Sequence, residues 1–226
     1  MGHKVHPKIY RTPELFSWDS RWFAKKGKMP LFLEQETKIR EFLEKRFKDA
    51  SIDAIGVERS AKEIKVIILA AKPGVIIGRG GKGLEEVRKH IERKILQLKL
   101  KVDISVQEVR QPALSAKIVA QSMASEIEHR IPFRRVMKQA VEKSMNAGAK
   151  GIKVCMAGRL NGVEIARTEK FGAGKMSLIT MRSNVDYALV EAKTIYGIIG
   201  IKAWIYLGEA FGRHDKFNKK KDENKK

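Results

Sequence analysis

The residues best suited to chemistry in this sequence are a run of glycines and cations, Gly78-Arg79-Gly80-Gly81-Lys82-Gly83. Glycine lacks a Cβ, so such a run lets the backbone lie against a phosphate. Arg79 and Lys82 add full charges, and a helix starting after the run would add free N–H groups and partial positive charge. Two phosphate chemistries fit. As a string the run satisfies G-x-G-x-x-G, and Asp103 follows about twenty residues on, as in the dinucleotide fingerprint. In that fingerprint, however, a strand runs directly into the first glycine. Here Pro73-Gly74 stops the preceding strand, and Val75-Ile76-Ile77 intervenes. The P-loop pattern G-x-x-x-x-G-K-[ST] is absent. The second reading is an apolar helical turn leading into G-x-x-G, Val75-Ile76-Ile77-Gly78-Arg79-Gly80-Gly81, which suits the backbone of RNA. A plain tight turn would use the same glycines.

A second cationic group lies between Arg130 and Val141, where four basic residues occur without an acid. On a helical wheel with Arg134 at zero, Lys138 falls at roughly 40° and Arg135 at roughly 100°, while Phe133, Val136, Met137 and Ala140 occupy roughly 200–300°. Arg134, Arg135 and Lys138 therefore share an arc beside the buried stripe. Solvated helix faces usually mix signs, as Glu34, Lys38, Glu36, Arg40, Glu41 and Lys45 do at i,i+4 spacing. An unmixed arc points to phosphate or to unpaired bases, which arginine can stack upon.

These groups must be positioned by folded elements. A helix is expected over 31–49, then strands at Ile52–Arg59 and Glu63–Ala71. The glycine run follows, then a helix with Leu84, Val87, Ile91, Ile95 and Leu98 on its apolar face, and a strand at 100–109. Pro112 marks a boundary. A second unit begins with a helix over 113–130, broken at Pro132 and resumed to Ala147, with Gly148 as its C-cap. A hairpin is expected around Asn161-Gly162, because a type I′ turn needs positive φ at both positions. A third strand is expected at 176–182, a helix from Asp186 to Ile195, and a last strand at 198–207. If Asn161-Gly162 is a two-residue turn, Arg159 faces Glu164 and Lys153 faces Lys170. That register places Arg167 on the core face beside Met156. Like charges directly opposite are destabilising, so Lys153 and Lys170 would either attract an external anion or splay into water.

The fold class expected is α+β in two domains: an N-terminal arm at 1–30, a first domain at 31–111, a second at 112–210 with a mainly antiparallel four-stranded sheet, and a disordered charged tail at 211–226. The arm carries Trp18, Trp22 and Phe23, which should dock on a neighbour.

Composition narrows the function. Among 226 residues, 47 are Lys or Arg and 26 are Asp or Glu, a net charge of +21 that calls for a polyanionic partner. At 43% hydrophobic residues the chain can still bury cores. One cysteine, Cys155, cannot form an internal disulfide, which fits a reducing cytosol. No apolar stretch approaches the roughly 18 residues of a membrane span, and the N-terminus lacks a signal-peptide core. The five histidines lack metal spacing, and H-E-x-x-H, G-x-S-x-G and paired cysteines are absent. No catalytic residue, metal site or cofactor is expected. Cys155 is expected to be an inert packed thiol.

The turn, the G-x-x-G loop and the order α-β-β-loop-α-β resemble a type II KH domain. The likeness extends further. Gly2-His3-Lys4-Val5-His6-Pro7, Trp22-Phe23-Ala24, Lys72–Gly78, Glu108–Pro112, Phe133–Lys138, Gly148–Val154, Gly158-Arg159-Leu160, Ala166–Glu169 and Tyr196–Lys202 resemble, in order, the bacterial small-subunit ribosomal protein S-three family. One departure is Arg79-Gly80, where that family often has two lysines. The resemblance implies a cytoplasmic ribosomal protein in the 30S head, bound to 16S rRNA and next to proteins S-ten and S-fourteen. It further implies that the chain lines the mRNA entry channel, with Arg134, Arg135 and Lys138 facing mRNA and helping to open its structure. Gly78, Arg79, Gly80, Gly81 and Lys82 become its RNA-binding loop, and Lys150, Lys153 and Lys170 candidate rRNA contacts.

Overall fold

The computed structural model describes residues 5–12, 14–60, 62–97, 100–212 and 216–217. In chain order it holds α1 (Pro7–Tyr10), β1 (Ser20–Arg21), α2 (Met29–Arg46), β2 (Ile52–Arg59), β3 (Glu63–Ala70), α3 (Pro73–Ile77), α4 (Lys82–His90), β4 (Lys101–Glu108), α5 (Ala116–Glu128), α6 (Phe133–Asn146), β5 (Gly151–Gly158), β6 (Arg167–Gly174), β7 (Ser183–Thr194) and β8 (Gly197–Glu209). They divide into two compact units. One comprises residues 18–110 with the chain from Phe217, and the other residues 1–17 with 111–216.

In the unit of residues 18–110, the sheet order is β1-β2-β3-β4. The β2–β3 hairpin is antiparallel, whereas β3 and β4 run parallel from Glu63↔Lys101 to Ala70↔Glu108. A parallel pair needs a crossover, and α3, the glycine loop and α4 supply it. Ile39 and Leu43 of α2, Ile76 of α3, Val87 of α4 and Ile91 bury against Ile55, Ile64, Val66, Ile68 and Val102 of the sheet. Alternation along β3 is lost toward its end, where Val66 to Ala70 are all buried. Both faces of that strand are covered there, the second by Phe217, which packs on Ile67 and Leu69.

In the other unit, the sheet order is β6-β5-β8-β7 and every pairing is antiparallel. Helices α5 and α6 cover one face. Met123 and Ile127 of α5 and Val136, Met137 and Val141 of α6 meet Ile152, Val154 and Met156 of β5 and Ile199, Ile201 and Ile205 of β8. Ser115 caps α5, its hydroxyl accepting from the Ile118 N–H at 3.4 Å.

Several expectations require correction. The segment from Asp186 to Ile195, expected as a helix, is the long strand β7, paired with β8 from Ser183↔Glu209 to Thr194↔Gly197. Its alternating inner positions Ala188, Val190 and Ala192 join the core. Tyr187 and Leu189 make the opposite face apolar too, which hides the period of two. Residues 176–182 form no strand. The Leu178 and Thr180 carbonyls instead accept from Arg11 Nη2 at 2.9 and 3.0 Å, while Arg11 Nη1 donates to the Pro7 carbonyl at 3.0 Å. Arg11, in the stretch expected as an arm, is thus almost wholly buried.

The hairpin register also differs. Asn161 and Gly162 do take positive φ, 59° and 76°, but they sit in a 3₁₀ turn and β6 begins only at Arg167. Arg159 Nε donates to the Val163 carbonyl at 2.9 Å, not to Glu164. The ladder is shifted by two residues: Lys153 faces Gly172, and Lys170 faces Cys155. Lys153 and Lys170 are therefore not directly opposed. Because the shift is even, the faces are unchanged. Arg167 pairs with Gly158 at the ladder's end and is exposed.

Of the arm aromatics, Trp22 docks in its own unit, while Trp18 and Phe23 are exposed. In the expected tail, Phe217 is buried against the ring-sized space left by Gly56, where a Cβ would come within 2.9 Å of it. Gly2, His3, Lys4, Leu98, His214 and residues 218–226 lie outside the described residues.

Candidate nucleic-acid interface

The glycine loop is built by backbone geometry. Helix α3 is a single turn begun by Pro73, and it ends at Gly78 with φ 70°. Gly80 and Gly81 follow at φ 61° and 78°, and α4 starts at Lys82. Three left-handed residues in four positions cannot be met cheaply by side-chain-bearing residues. Gly83 is required for a different reason. A Cβ there would come within 2.8 Å of the Ile76 carbonyl oxygen and 3.1 Å of that of Ile77. The first turn of α4 is thus held directly on α3. Nothing lies within 4 Å of a Cβ built at Gly80 or Gly81, so their outer side is open. Arg79 and Lys82 are exposed. Of the apolar turn, Ile76 is buried in the core while Val75 and Ile77 remain exposed beside the loop. The arrangement combines open backbone, a helix start, two cations and two apolar side chains, which suits a sugar-phosphate backbone with bases turned to the apolar side.

The rest of this unit is tied together by Glu36. It accepts from Ser20 Oγ, from Trp22 Nε1 at 2.5 Å and from Arg40 Nη2 at 2.7 Å. Burial alone would raise its pKa; the hydrogen bonds from Ser20, Arg40 and Trp22 outweigh that and hold it below its ordinary value. The Glu36–Arg40 spacing was legible in the sequence, but the anchoring of Ser20 and Trp22 was not.

In the other unit, Phe133, Val136 and Met137 of α6 are buried while Arg134, Arg135 and Lys138 are exposed. The wheel places them correctly. Arg134 reaches Glu169 of β6 at 3.6 Å, with its side chain 74% exposed. Arg167 approaches the same Glu169 carboxylate at 3.9 Å, and the Arg134 and Arg167 guanidiniums each lie 5.7 Å from the Phe133 ring centre. Arg167 thereby joins the cationic arc, a residue that the mistaken register had put in the core. On the outer face of the sheet, Lys170 and Lys202 flank Cys155 from the two neighbouring strands, and both are exposed. Lys153 lies 5.7 Å from the Trp204 ring. Lys150 is exposed at the start of β5.

Asp186 holds this unit's frame, and the sequence reading missed it. It is 4% exposed and takes three donors: the Ala116 N–H that opens α5 at 2.7 Å, Lys8 at 2.9 Å and Lys216 at 3.4 Å. Burial pushes its pKa up, but the Lys216 and Lys8 charges and the hydrogen bonds from Lys8 and Ala116 prevail and hold it down to about 2. An acid within the apolar run Val185 to Val190 was the available signal.

Among the described residues, no group of three or more His, Cys, Asp or Glu could hold a metal ion, and no helix is long and apolar enough to cross a membrane. Cys155 is buried and unpaired.

A G-x-x-G crossover between a central strand and its parallel neighbour, within an α-β-β-α-α-β order, defines a type II KH domain, here followed by an α+β domain. The KH-domain family model matches residues 38–114, and the model described as ribosomal protein S3, C-terminal domain, matches residues 123–205. The chain is 41% identical over 215 residues to proteins named small ribosomal subunit protein uS3 from Burkholderia cenocepacia, Burkholderia vietnamiensis and Burkholderia ambifaria, covering 95% of this chain and 80% of theirs. The chain belongs to the ribosomal protein S3 family of the small ribosomal subunit. It is a structural, non-enzymatic family.

Proposed function

We propose that this chain is a structural rRNA-binding protein of the small-subunit head that lines the mRNA entry channel and helps open mRNA structure during translation. The observation that carries the reading is the arc of Arg134, Arg135 and Lys138, exposed on a helix whose opposite face is buried and whose stretch from Arg130 to Val141 holds no acid of its own; the Glu169 carboxylate that reaches Arg134 from β6 is shared with Arg167. A rigid cationic surface of this kind can take up phosphates of a strand pulled past it and stack on bases as they unpair. The work of unwinding then comes from translocation, and the protein contributes a fixed charged edge. The loop at Gly78, Arg79, Gly80, Gly81 and Lys82 binds rRNA phosphates in this reading, and Lys150, Lys153 and Lys170 are further rRNA contacts. The KH domain spans 31–111 and the second domain 112–210. Partners are 16S rRNA, mRNA and head proteins such as S-ten and S-fourteen, in cytoplasmic ribosomes.

The test is to replace Arg134, Arg135 and Lys138 by alanine together. Small subunits should still assemble, and ribosomes carrying the variant should slow at stable mRNA hairpins while reading unstructured message normally. Normal passage through hairpins would refute the channel assignment, and failed assembly would move the arc to an rRNA role. Whether the chain co-sediments with small subunits in lysate separates this reading from a free transcript regulator.

A further inference from the structure

A cavity of about 580 Å³ opens at one end of the C-terminal unit, between the α5–α6 connection, the β5–β6 loop and the β7–β8 turn. Three cationic residues line it, Arg130, Arg159 and Lys193, together with the aromatic ring of Tyr196. Its one acid, Glu128, is already engaged, accepting the Lys193 backbone N–H at 2.9 Å. Three cations against one carboxylate leave the lining net positive, and Tyr196 (56% exposed) and Ile195 (78% exposed) project at its rim.

Two of the cations are fixed on the lining, Arg159 through its side chain and Arg130 through its backbone. Arg159 donates from Nε to the Val163 carbonyl at 2.9 Å and from Nη1 to the Tyr196 carbonyl at 3.5 Å, with its guanidinium 5.7 Å from the Tyr196 ring centre. Arginine and ring are thus fixed as a pair, with further N–H donors left over. Arg130 closes α5 in a Schellman motif: the Ile131 N–H donates to the Glu126 carbonyl at 3.1 Å and the Arg130 N–H to the Ile127 carbonyl at 2.9 Å. Its φ is 63°. Glycine is the usual occupant of that left-handed position. Here a strained arginine occupies it and places its charge on the pocket wall.

We propose that this cavity is a nucleotide pocket that captures one unpaired base of single-stranded RNA on Tyr196 and its phosphate between Arg130, Arg159 and Lys193. The excess of positive charge favours a phosphate, and the open ring buttressed by a guanidinium favours a stacked base over a simple anion. The site is separate from the α6 arc, sharing only the neighbourhood of Phe133.

The test uses the full chain and a short single-stranded RNA carrying 4-thiouridine. Irradiation of the parent protein should attach the RNA to Tyr196 or its neighbours in 193–197. Tyr196→Ala should remove that cross-link and weaken binding by about tenfold, and Tyr196→Phe should retain both, as expected for stacking. Cross-links confined to the glycine loop and α6, with unchanged affinity of Tyr196→Ala, would overturn the proposal. So would equal displacement of the RNA by inorganic tripolyphosphate from the parent and from Tyr196→Ala, which would mark a simple anion site. Burial of the Tyr196 ring against a neighbouring protein in assembled subunits would likewise overturn it. The cross-link on the parent protein decides the matter even if Tyr196→Ala folds poorly. The variant lacking Arg134, Arg135 and Lys138 should keep the Tyr196 cross-link, so failure of the channel assignment and failure of this one are distinguishable.

Discussion

The glycine loop and the α6 arc both present positive potential, but they build it from opposite parts of the chain. In the loop the shape is in the backbone: positive φ at Gly78, Gly80 and Gly81, and a close approach at Gly83. Side chains add only Arg79 and Lys82. On α6 the backbone is an ordinary helix, and everything specific lies in three exposed side chains and the packing beneath them. A surface made of backbone is fixed by its dihedral angles: Gly83 has no room for an added atom, and the positive φ at Gly78, Gly80 and Gly81 disfavours any side chain. A surface made of long cationic side chains adapts to whatever passes, and it can lose members one at a time. The first suits a permanent rRNA contact and the second a moving strand.

Gly83→Val should have the largest effect, since its side chain would strike the Ile76 and Ile77 carbonyls. We expect a destabilisation of about 2 kcal/mol from overpacking, read from urea unfolding, together with loss of loop-dependent RNA binding. A variant with parental stability and affinity would show that the close approach of α3 and α4 is not required.

Asp186 tests how far the arc depends on the frame behind it. Its folded pKa of about 2 lies below the ordinary 3.8, so its contribution is fully present above the ordinary value and lost as pH falls from about 4 through 2. That contribution is about 2 kcal/mol. Asp186→Asn should lower stability at neutral pH and flatten the decline between pH 4 and 2, measured by thermal unfolding across pH. An unchanged acid profile would remove Asp186 from the frame.

Replacing Arg79 and Gly80 by two aspartates should leave the overall fold intact, because Arg79 is exposed and a Cβ at Gly80 meets nothing within 4 Å, so the cost is confined to local strain at its φ of 61°. RNA affinity should fall by about tenfold, as anions replace a cation at the phosphates. Equal affinity would reduce the loop to a turn. The smallest effect on stability is expected from alanines at Arg134, Arg135 and Lys138, within about 0.5 kcal/mol. Their signature is instead a log–log salt slope of RNA binding shallower by about 2, as up to three phosphates lose their cations. If the slope stays the same, the arc does not touch RNA in the isolated protein.

Much of this contrast was readable from residue types. The loop was legible because glycines at fixed spacing have few other uses, and the arc because α6 keeps a clean period from Phe133 to Val141. What failed was non-local. Strand β7 reads as a helix because Ala188, Leu189, Glu191, Ala192 and Lys193 are good helix formers, and only pairing with β8 overrides them. The β5–β6 register slipped because Asn161-Gly162 takes the expected backbone angles without closing a two-residue loop. Residues 163–166 lie between the turn and β6, and the local signal does not report their number. Arg11, Asp186 and Phe217 share a different obscurity. Arg11 and Phe217 lie in polar segments and Asp186 in an apolar one, but in all three the partners that bury the residue include ones remote in sequence.

The convergence of Lys8 and Lys216 on Asp186 bears on the order in which the protein can be made. Chains emerge from synthesis N-terminus first, and domains fold as their residues become available. Lys8 is exposed to the cell long before its carboxylate partner exists, and Asp186 in turn waits for Lys216. Contacts of such long sequence separation close late. Until then the segment that bears Lys8 and Arg11 lacks the Asp186 carboxylate and the Leu178 and Thr180 carbonyls that seat it. Completion of this buried ion cluster is therefore a late step, since it can close only after Lys216 has been made.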